Sequence, residues 1–382
     1  MLNLTMIVFS AIYLLLLLFK TLSAKKYIKD FPQPKQALNE STISILQPIL
    51  SGDPTLSSTL AGNVINFPHC EFIWLVDEND QVAQEVVNAL KAKYPKATIK
   101  QHLYAQAPDG INPKLFKLED ARKRCSGEYC VVLDDDTVLS NNGMRALIES
   151  LDKHQLSTGL PMYREGANVP SKLLAQFVNN NSALTYLSVL PYMEPLSING
   201  MCYAIKTKTL AAYGGFEPIL SHLTDDLALA NHVQSKGGNI CQTPYVQEIE
   251  TQIPGMKDYI QQMHRWYLFA TLLMRQQAGV TNLIIGLLHG LPSLLLWGMF
   301  IVLLSAPSVL VGGLLILTLV SREYLLSHVR SKLTDNQKSH IALSILSEIL
   351  QPLHLIHAVI VRKIKWRTRR YRVYENNRFV KV

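Results

Sequence analysis

Charge is sparse in this chain, and its cysteines form no pattern. Of 382 residues only 17% are charged, against 48% hydrophobic, and the mean hydropathy of +0.12 is high for a purely water-soluble protein. The five cysteines (Cys70, Cys125, Cys130, Cys202, Cys241) show neither CxxC spacing nor a regular framework. That speaks against a disulfide-stapled scaffold and fits reduced thiols in a cytosolic compartment. The first apolar run also lacks what a cleaved leader needs. Residues 3–19, NLTMIVFSAIYLLLLLF, are uncharged over 17 positions, and the basic residues Lys20, Lys25, Lys26 and Lys29 come after them. A signal peptide has the reverse order. The run predicts an uncleaved anchor over 1–24 with its lysine side cytosolic.

Two further apolar stretches follow late in the chain. Residues 282–320 are almost purely apolar, with Ser305-Ala306-Pro307 as a turn signal, and predict two crossings. HIALSILSEILQPLHLIHAVIV (340–361) is apolar too but carries Glu348, Gln351, Pro352 and three histidines. The next stretch, RKIKWRTRRYR (362–372), holds seven Lys or Arg and by the positive-inside rule belongs in the cytosol. That parity predicts that 340–361 lies in the membrane plane or re-enters it. The expected organisation is an anchor (1–24), a cytosolic α/β domain (25–279), a C-terminal membrane region (280–361) and a basic cytosolic tail (362–382). Net charge is +8, from 37 basic and 29 acidic residues. Much of the excess abuts an apolar segment, which points to anionic lipid headgroups and not to nucleic acid.

Between about Ser41 and Ala278 short β-branched runs alternate with helical patterns, uninterrupted by repeats or low-complexity tracts. TISILQPIL (42–50), EFIWLV (71–76), ATIKQHLY (97–104) and EYCVVL (128–133) predict strands. TLSSTLAGNVINF (55–67), QVAQEVVNALKAKY (81–94) and PKLFKLEDARKRC (113–125), the last begun by Pro113, predict helices. A βαβα succession of this kind implies an α/β domain with a mainly parallel sheet, whose ligands bind outside the carboxyl ends of the strands. Asp77 follows the second strand there, and Asp134, Asp135 and Asp136 follow the fourth. A lone Asp at such a point is usually a turn former or helix cap; two groups converging on one rim suggest a site.

Three consecutive aspartates at a strand end need a counter-charge. In an Asp-x-Asp arrangement Asp134 and Asp136 lie on the same side of an extended backbone, so that one can face a ribose while the other holds Mn²⁺ or Mg²⁺ bridging a diphosphate. Asp134-x-Asp136-x-Val138 equally fits a haloacid-dehalogenase-type phosphatase, with Asp134 as nucleophile and Asp136 as acid/base. Downstream residues separate the two. HLTDDLALANHVQSKGG (222–238) puts Asp225 and Asp226 at the mouth of a helix started by Thr224 and ended by Gly237-Gly238. KDYIQQMHRWYLFATLLM (257–274) sets Gln262, Arg265 and Trp266 on one helix face. Each alone has a bland explanation, a capped helix in the first case and a membrane-bordering amphipathic helix in the second.

In order, D…DxD…(T/E)DD…QxxRW resembles the inverting, membrane-type GT-A glycosyltransferases. QPILSGDPTL (47–56), DGINPKL (109–115), GMCYAIKTKTLAAYGGF (200–216) and IKWRTRRYRV (364–373) are similar to segments of glycosyltransferase family 21, the ceramide glucosyltransferases. This resemblance implies a GT-A fold, a UDP-sugar donor, a lipid acceptor such as ceramide, Mn²⁺ or Mg²⁺, and a multi-pass membrane protein with its catalytic domain at the cytosolic face, in a bacterial inner membrane or in the ER or Golgi. Position by position it implies Asp77, Lys114, Asp134, Asp135 and Asp136 at the donor, with Asp136 on the metal. Asp226 is implied as general base, Arg265 at the leaving diphosphate, and Gln262 and Trp266 at the acceptor. Asp225, Arg367 and Arg370 are implied as acceptor or phosphate contacts. The chain departs from the family pattern at LPYMEPLSINGMC (190–202), which lacks a His-Pro pair, and at Phe116-Lys117, where the family has Asn-Asn. A processive polysaccharide synthase shares the four motifs but needs more crossings, and a non-catalytic scaffold would have lost one of them.

Overall fold

The computed structural model describes residues 2–334, 339–366 and 369–381. The elements run in chain order through α1 (Leu2–Asp30), β1 (Ile43–Ile49), α2 (Leu56–Asn66), β2 (Glu71–Asp77), α3 (Gln81–Lys93), β3 (Thr98–Tyr104), α4 (Pro113–Ala121) and β4 (Tyr129–Leu133). Next come β5 (Thr137–Leu139), α5 (Asn141–Ser150), β6 (Leu156–Tyr163), α6 (Val169–Tyr186), β7 (Cys202–Lys206), α7 (Thr207–Ala212), α8 (Asp225–Ser235) and β8 (Ile240–Ile249). The rest comprises α9 (Met256–Gln276), α10 (Gly279–Ile285), α11 (Leu291–Ser305), α12 (Val309–Arg330), α13 (Ile341–Ile349), α14 (Gln351–Ile360), β9 (Lys363–Trp366), β10 (Arg369–Glu375) and β11 (Arg378–Lys381).

Contacts divide the chain into two compact units, of which one comprises Phe31–Gly166, Glu194–Gln252 and Lys363–Val382. Among its described residues eight strands form a sheet in the order β3-β2-β1-β4-β7-β6-β8-β5. The first four strands are parallel. β7 then runs antiparallel to both β4 and β6. All seven residues of β1 are buried, as a strand covered by helices on both faces requires. Trp74 on β2 is fully buried, and its indole N–H donates to Gln47 Oε1 at 2.9 Å, which satisfies the one polar atom of an otherwise apolar side chain. The helix starts follow local chemistry. Asn112 caps α4, accepting from the Lys114 and Leu115 amides, with Pro113 at the first helical position. Gly237, at φ +77°, ends α8 in the left-handed region.

The tail is more ordered than a basic stretch suggests. β9, β10 and β11 form an antiparallel meander in which Ile364, Tyr371, Val373 and Phe379 are buried while Arg370, Arg372 and Arg378 are exposed.

The other unit comprises Met1–Asp30, Ala167–Met193 and Ile253–Arg362. It takes in α6 and α9, which the sequence places in the α/β domain. Four of its helical segments are long and apolar enough to cross a membrane: Leu2–Asp30, Gly279–Ser305, Val309–Arg330 and Ile341–Ile360. The last is broken at Leu350, before Pro352, into α13 and α14. Its length permits a crossing, so the in-plane placement rests on charge alone. Buried charges tie these helices together. Glu348 accepts from Tyr13 Oη at 2.9 Å and from Arg322 Nε at 2.7 Å. Arg322 Nη1 also donates to Ser344 Oγ at 2.7 Å, and Asn180 donates to the same hydroxyl at 2.9 Å. In so apolar a setting each of these groups must be paired.

Candidate active site

β2 and β4 flank β1 and end at the same edge of the sheet, so Asp77 and Asp134 arrive two strand spacings, about 10 Å, apart. The acidic strand end itself is divided in purpose. Asp135 is 8% exposed and turns inward, its Oδ2 accepting from the Leu50 amide at 2.7 Å. It anchors the loop after β1. Asp134 follows β4 directly, and Asp135 and Asp136 form a turn that the Thr137 amide closes by donating to the Asp134 carbonyl at 3.2 Å. Asp136 accepts from Thr251 Oγ1 at 2.6 Å and from Thr137 Oγ1 at 3.1 Å.

Lys114 sits at the centre. Its ammonium lies 2.8 Å from Asp134 Oδ1 and 3.1 Å from Asp225 Oδ2, and donates to the Gly200 carbonyl at 2.8 Å. The lysine thus bridges carboxylates from the end of β4 and from α8. Burial alone would lower its pKa, but Asp134 and Asp225 outweigh burial and hold it above the ordinary lysine value. Asp134 is pushed up to about 7, first by burial; Lys114 counters this and Asp136 adds to it.

Asp226 opens α8 beside Asp225. Its Oδ1 accepts from the Leu227 amide at 2.7 Å, one of the first-turn N–H groups a helix leaves unpaired. Burial, and then the neighbouring Asp225, push its pKa up to about 7. Gly200 lies directly against it, and a Cβ there would come within 3.1 Å of Asp226 Cβ. Any side chain at 200 would crowd the carboxylate. Thr224 occupies the cap position without capping; its hydroxyl donates instead to Asn376.

Asp77 pairs with Lys117 Nζ at 2.9 Å, and Lys117 is 5% exposed. The sequence marks position 117 only as a departure from a family pattern, and a lysine three residues after Lys114 gives no sign that it turns inward. Asn112, Thr251 and Asn376 were likewise missed, because turn and loop polar residues carry no local signal of long-range bonding. Gln262, Arg265 and Trp266 belong to the other unit, grouped on one turn of α9. Arg265 Nη2 donates to Gln262 Oε1 at 2.8 Å, and Trp266 stacks on Phe177 with ring centroids 6.4 Å apart. Arg370 lies exposed on β10. Arg367 lies outside the described residues.

A mostly parallel sheet whose carboxyl edge gathers Asp77, an Asp-x-Asp strand end and an acidic helix mouth is the architecture of a GT-A-type sugar transferase. The chain belongs to glycosyl transferase family 21, whose model matches residues 3–379. It is 22% identical over 199 residues to ceramide glucosyltransferase 3 of Caenorhabditis elegans, an alignment covering 51% of this chain and 43% of that protein. The chain thus spans less than half the length of that relative. Its fold is similar to the mannosyltransferase PcManGT from Pyrobaculum calidifontis in complex with GDP-Man and Mn²⁺, with a TM-score of 0.54 and 14% identity over 94% of this chain and 98% of that one.

Proposed function

We propose that the protein moves a single sugar, most simply glucose, from a UDP-sugar to the primary hydroxyl of a membrane lipid such as ceramide, with inversion to a β-linkage at the cytosolic face. Membership of family 21 and the relative named as a ceramide glucosyltransferase support this reading, as do four apolar helical segments suited to a bilayer-borne acceptor. The observation that carries the chemistry is Asp226. A carboxylate raised to about 7 is matched to taking a proton near neutral pH. An alcohol is a poor nucleophile until that proton leaves. Asp226 accepts it as the oxygen attacks the anomeric carbon from the face opposite the departing diphosphate.

The other residues bind and orient. Asp77, steadied by Lys117, contacts the base or ribose; Asp134 faces the ribose and diphosphate; Asp135 holds the β1 loop in place. Lys114 fixes Asp134 relative to Asp225 and lessens their repulsion. Arg265 offers charge to the leaving diphosphate, while Trp266 packs beneath the acceptor and Gln262 orients it. Arg370 and Arg367 supply positive charge from the tail.

The donor set suits a divalent cation. Asp134 and Asp136 present hard carboxylate oxygens, the ligand type that Mn²⁺ or Mg²⁺ takes alongside substrate phosphates. When bound, the cation supplies charge neutralisation of the diphosphate.

The test is a donor-by-acceptor screen of purified protein in detergent with Mn²⁺ or Mg²⁺, reading UDP release and lipid product by mass spectrometry, with Asp226→Asn as control. Hexosylated ceramide from UDP-glucose, lost in the variant, is the expected result. Product only with another sugar or lipid moves the specificity and keeps the mechanism; equal turnover by Asp226→Asn removes the base assignment.

A further inference from the structure

A polar residue at the tip of a β-hairpin ordinarily faces water. Asn376, at the turn between β10 and β11, is 4% exposed. Its side-chain Oδ1 accepts from both the amide and the hydroxyl of Thr224, each at 2.7 Å. Its own carbonyl accepts from the Leu223 amide at 2.7 Å. The hairpin therefore binds the two residues that immediately precede Asp225 and Asp226. Those residues are held from a second direction as well. Asn112 Nδ2 donates to the carbonyls of His222 and Leu223 at 3.0 and 3.1 Å, and the Asn112 amide donates to the Leu220 carbonyl at 2.8 Å. Asn112 caps the helix that carries Lys114, whose ammonium reaches Asp225. The segment 220–224 is thus clamped between the loop before α4 and the end of the tail.

We infer that the C-terminal hairpin is part of the catalytic apparatus, with Asn376 the positioning residue that fixes the entry to α8 and hence where the Asp226 carboxylate points. This rests on the proposed role of Asp226. The meander supplies the rigidity the task needs, because Ile364, Tyr371, Val373 and Phe379 bury one face, leaving the turn at its end as a fixed projection. A bond that uses the Thr224 hydroxyl also explains why that hydroxyl does not cap its own helix. A base displaced by 1 Å loses much of its rate while donor binding, built on β2 and β4, is unaffected.

The experiment compares full-length wild type, Asn376→Ala, Asn376→Asp and Thr224→Val, using UDP-glucose and a short-chain ceramide with Mn²⁺. It reads kcat, donor KM, thermal midpoint, and hydrogen exchange of the peptide spanning 220–230. Two bonds to one oxygen predict that Asn376→Ala lowers kcat roughly ten- to hundredfold with donor KM unchanged and speeds exchange at 220–230. Asn376→Asp keeps the acceptor oxygen and restores kcat. Thr224→Val leaves the tail sequence intact and costs roughly two- to tenfold in kcat, which decides the matter if Asn376→Ala fails to fold. Wild-type kcat and exchange in both Asn376→Ala and Thr224→Val would overturn the inference. So would an Asn376→Asp variant as slow as Asn376→Ala, or losses of kcat that only track lost folded protein. Asp226→Asn run alongside separates the cases: wild-type turnover there sinks the base assignment, whereas its loss combined with a fully active Asn376→Ala sinks only the positioning role.

Discussion

Asp226→Asn should separate activity from stability, and in a pH-dependent way. The carboxyl rises from its ordinary 3.8 to about 7 in the folded protein, roughly three units at about 1.4 kcal/mol each, or about 4 kcal/mol held against the ionised form. Since the folded pKa is raised, the folded state keeps its proton where the unfolded chain has lost it. Stability therefore falls as pH climbs from about 4 to about 7 and is level above that. Asparagine is nearly isosteric with the neutral acid and does not titrate. The variant should match wild type near pH 4 and exceed it at about pH 8 by up to about 4 kcal/mol, a value set by burial and by Asp225. Its turnover should drop roughly 10²- to 10⁴-fold, with UDP binding retained. The assay is unfolding in one detergent at several pH values, paired with UDP-sugar turnover. A variant less stable than wild type at about pH 8, or equally advantaged at every pH, would refute the claim that burial raises this group.

Further expectations concern the neighbours. Wild-type kcat should rise with pH through about 7 as Asp226 gives up its proton, and a profile flat from about pH 5 to 8 would contradict this. Asp136→Asn should weaken Mn²⁺-dependent UDP binding while leaving metal-free binding unchanged, as read by calorimetry. Lys117→Gln breaks the 2.9 Å pair with Asp77 and should weaken UDP binding by about 1.5–3 kcal/mol, the usual worth of a charged hydrogen bond. Glu348→Gln removes the charge paired with buried Arg322 at 2.7 Å while Glu323 stays 3.4 Å away, and should destabilise the protein by about 1–3 kcal/mol in detergent unfolding, with donor affinity intact.

The first half of the sheet could be read from the sequence because its strands are short apolar runs bounded by turn residues. EFIWLV became β2 (Glu71–Asp77), and Pro113 did begin α4. The antiparallel insertion of β7 between β4 and β6 has no counterpart in local pattern, since pairing partners far apart in sequence decide it. The strands of the tail were not legible for another reason. Seven basic residues in RKIKWRTRRYR drown the alternation of Tyr371 and Val373, although that alternation buries one face of β10. At the proposed site, motif order singled out the carboxylates, but which ones share a lysine depends on folding Asp225 back onto Lys114. Asp135 shows the limit of adjacency. It belongs to the same triplet, yet the turn that follows β4 brings it to the Leu50 amide instead of to the open rim.

The central claim is single-displacement transfer to a lipid hydroxyl with Asp226 as base, and the anomeric configuration of the product tests it most directly. The protein would be incubated with UDP-glucose, ceramide and Mn²⁺ in detergent, and the lipid product examined by proton NMR at the anomeric position. The account predicts a β-linked monohexoside, formed from the α-linked donor in one inversion. An α-linked product would contradict it, because attack from the face opposite the departing diphosphate inverts the anomeric carbon.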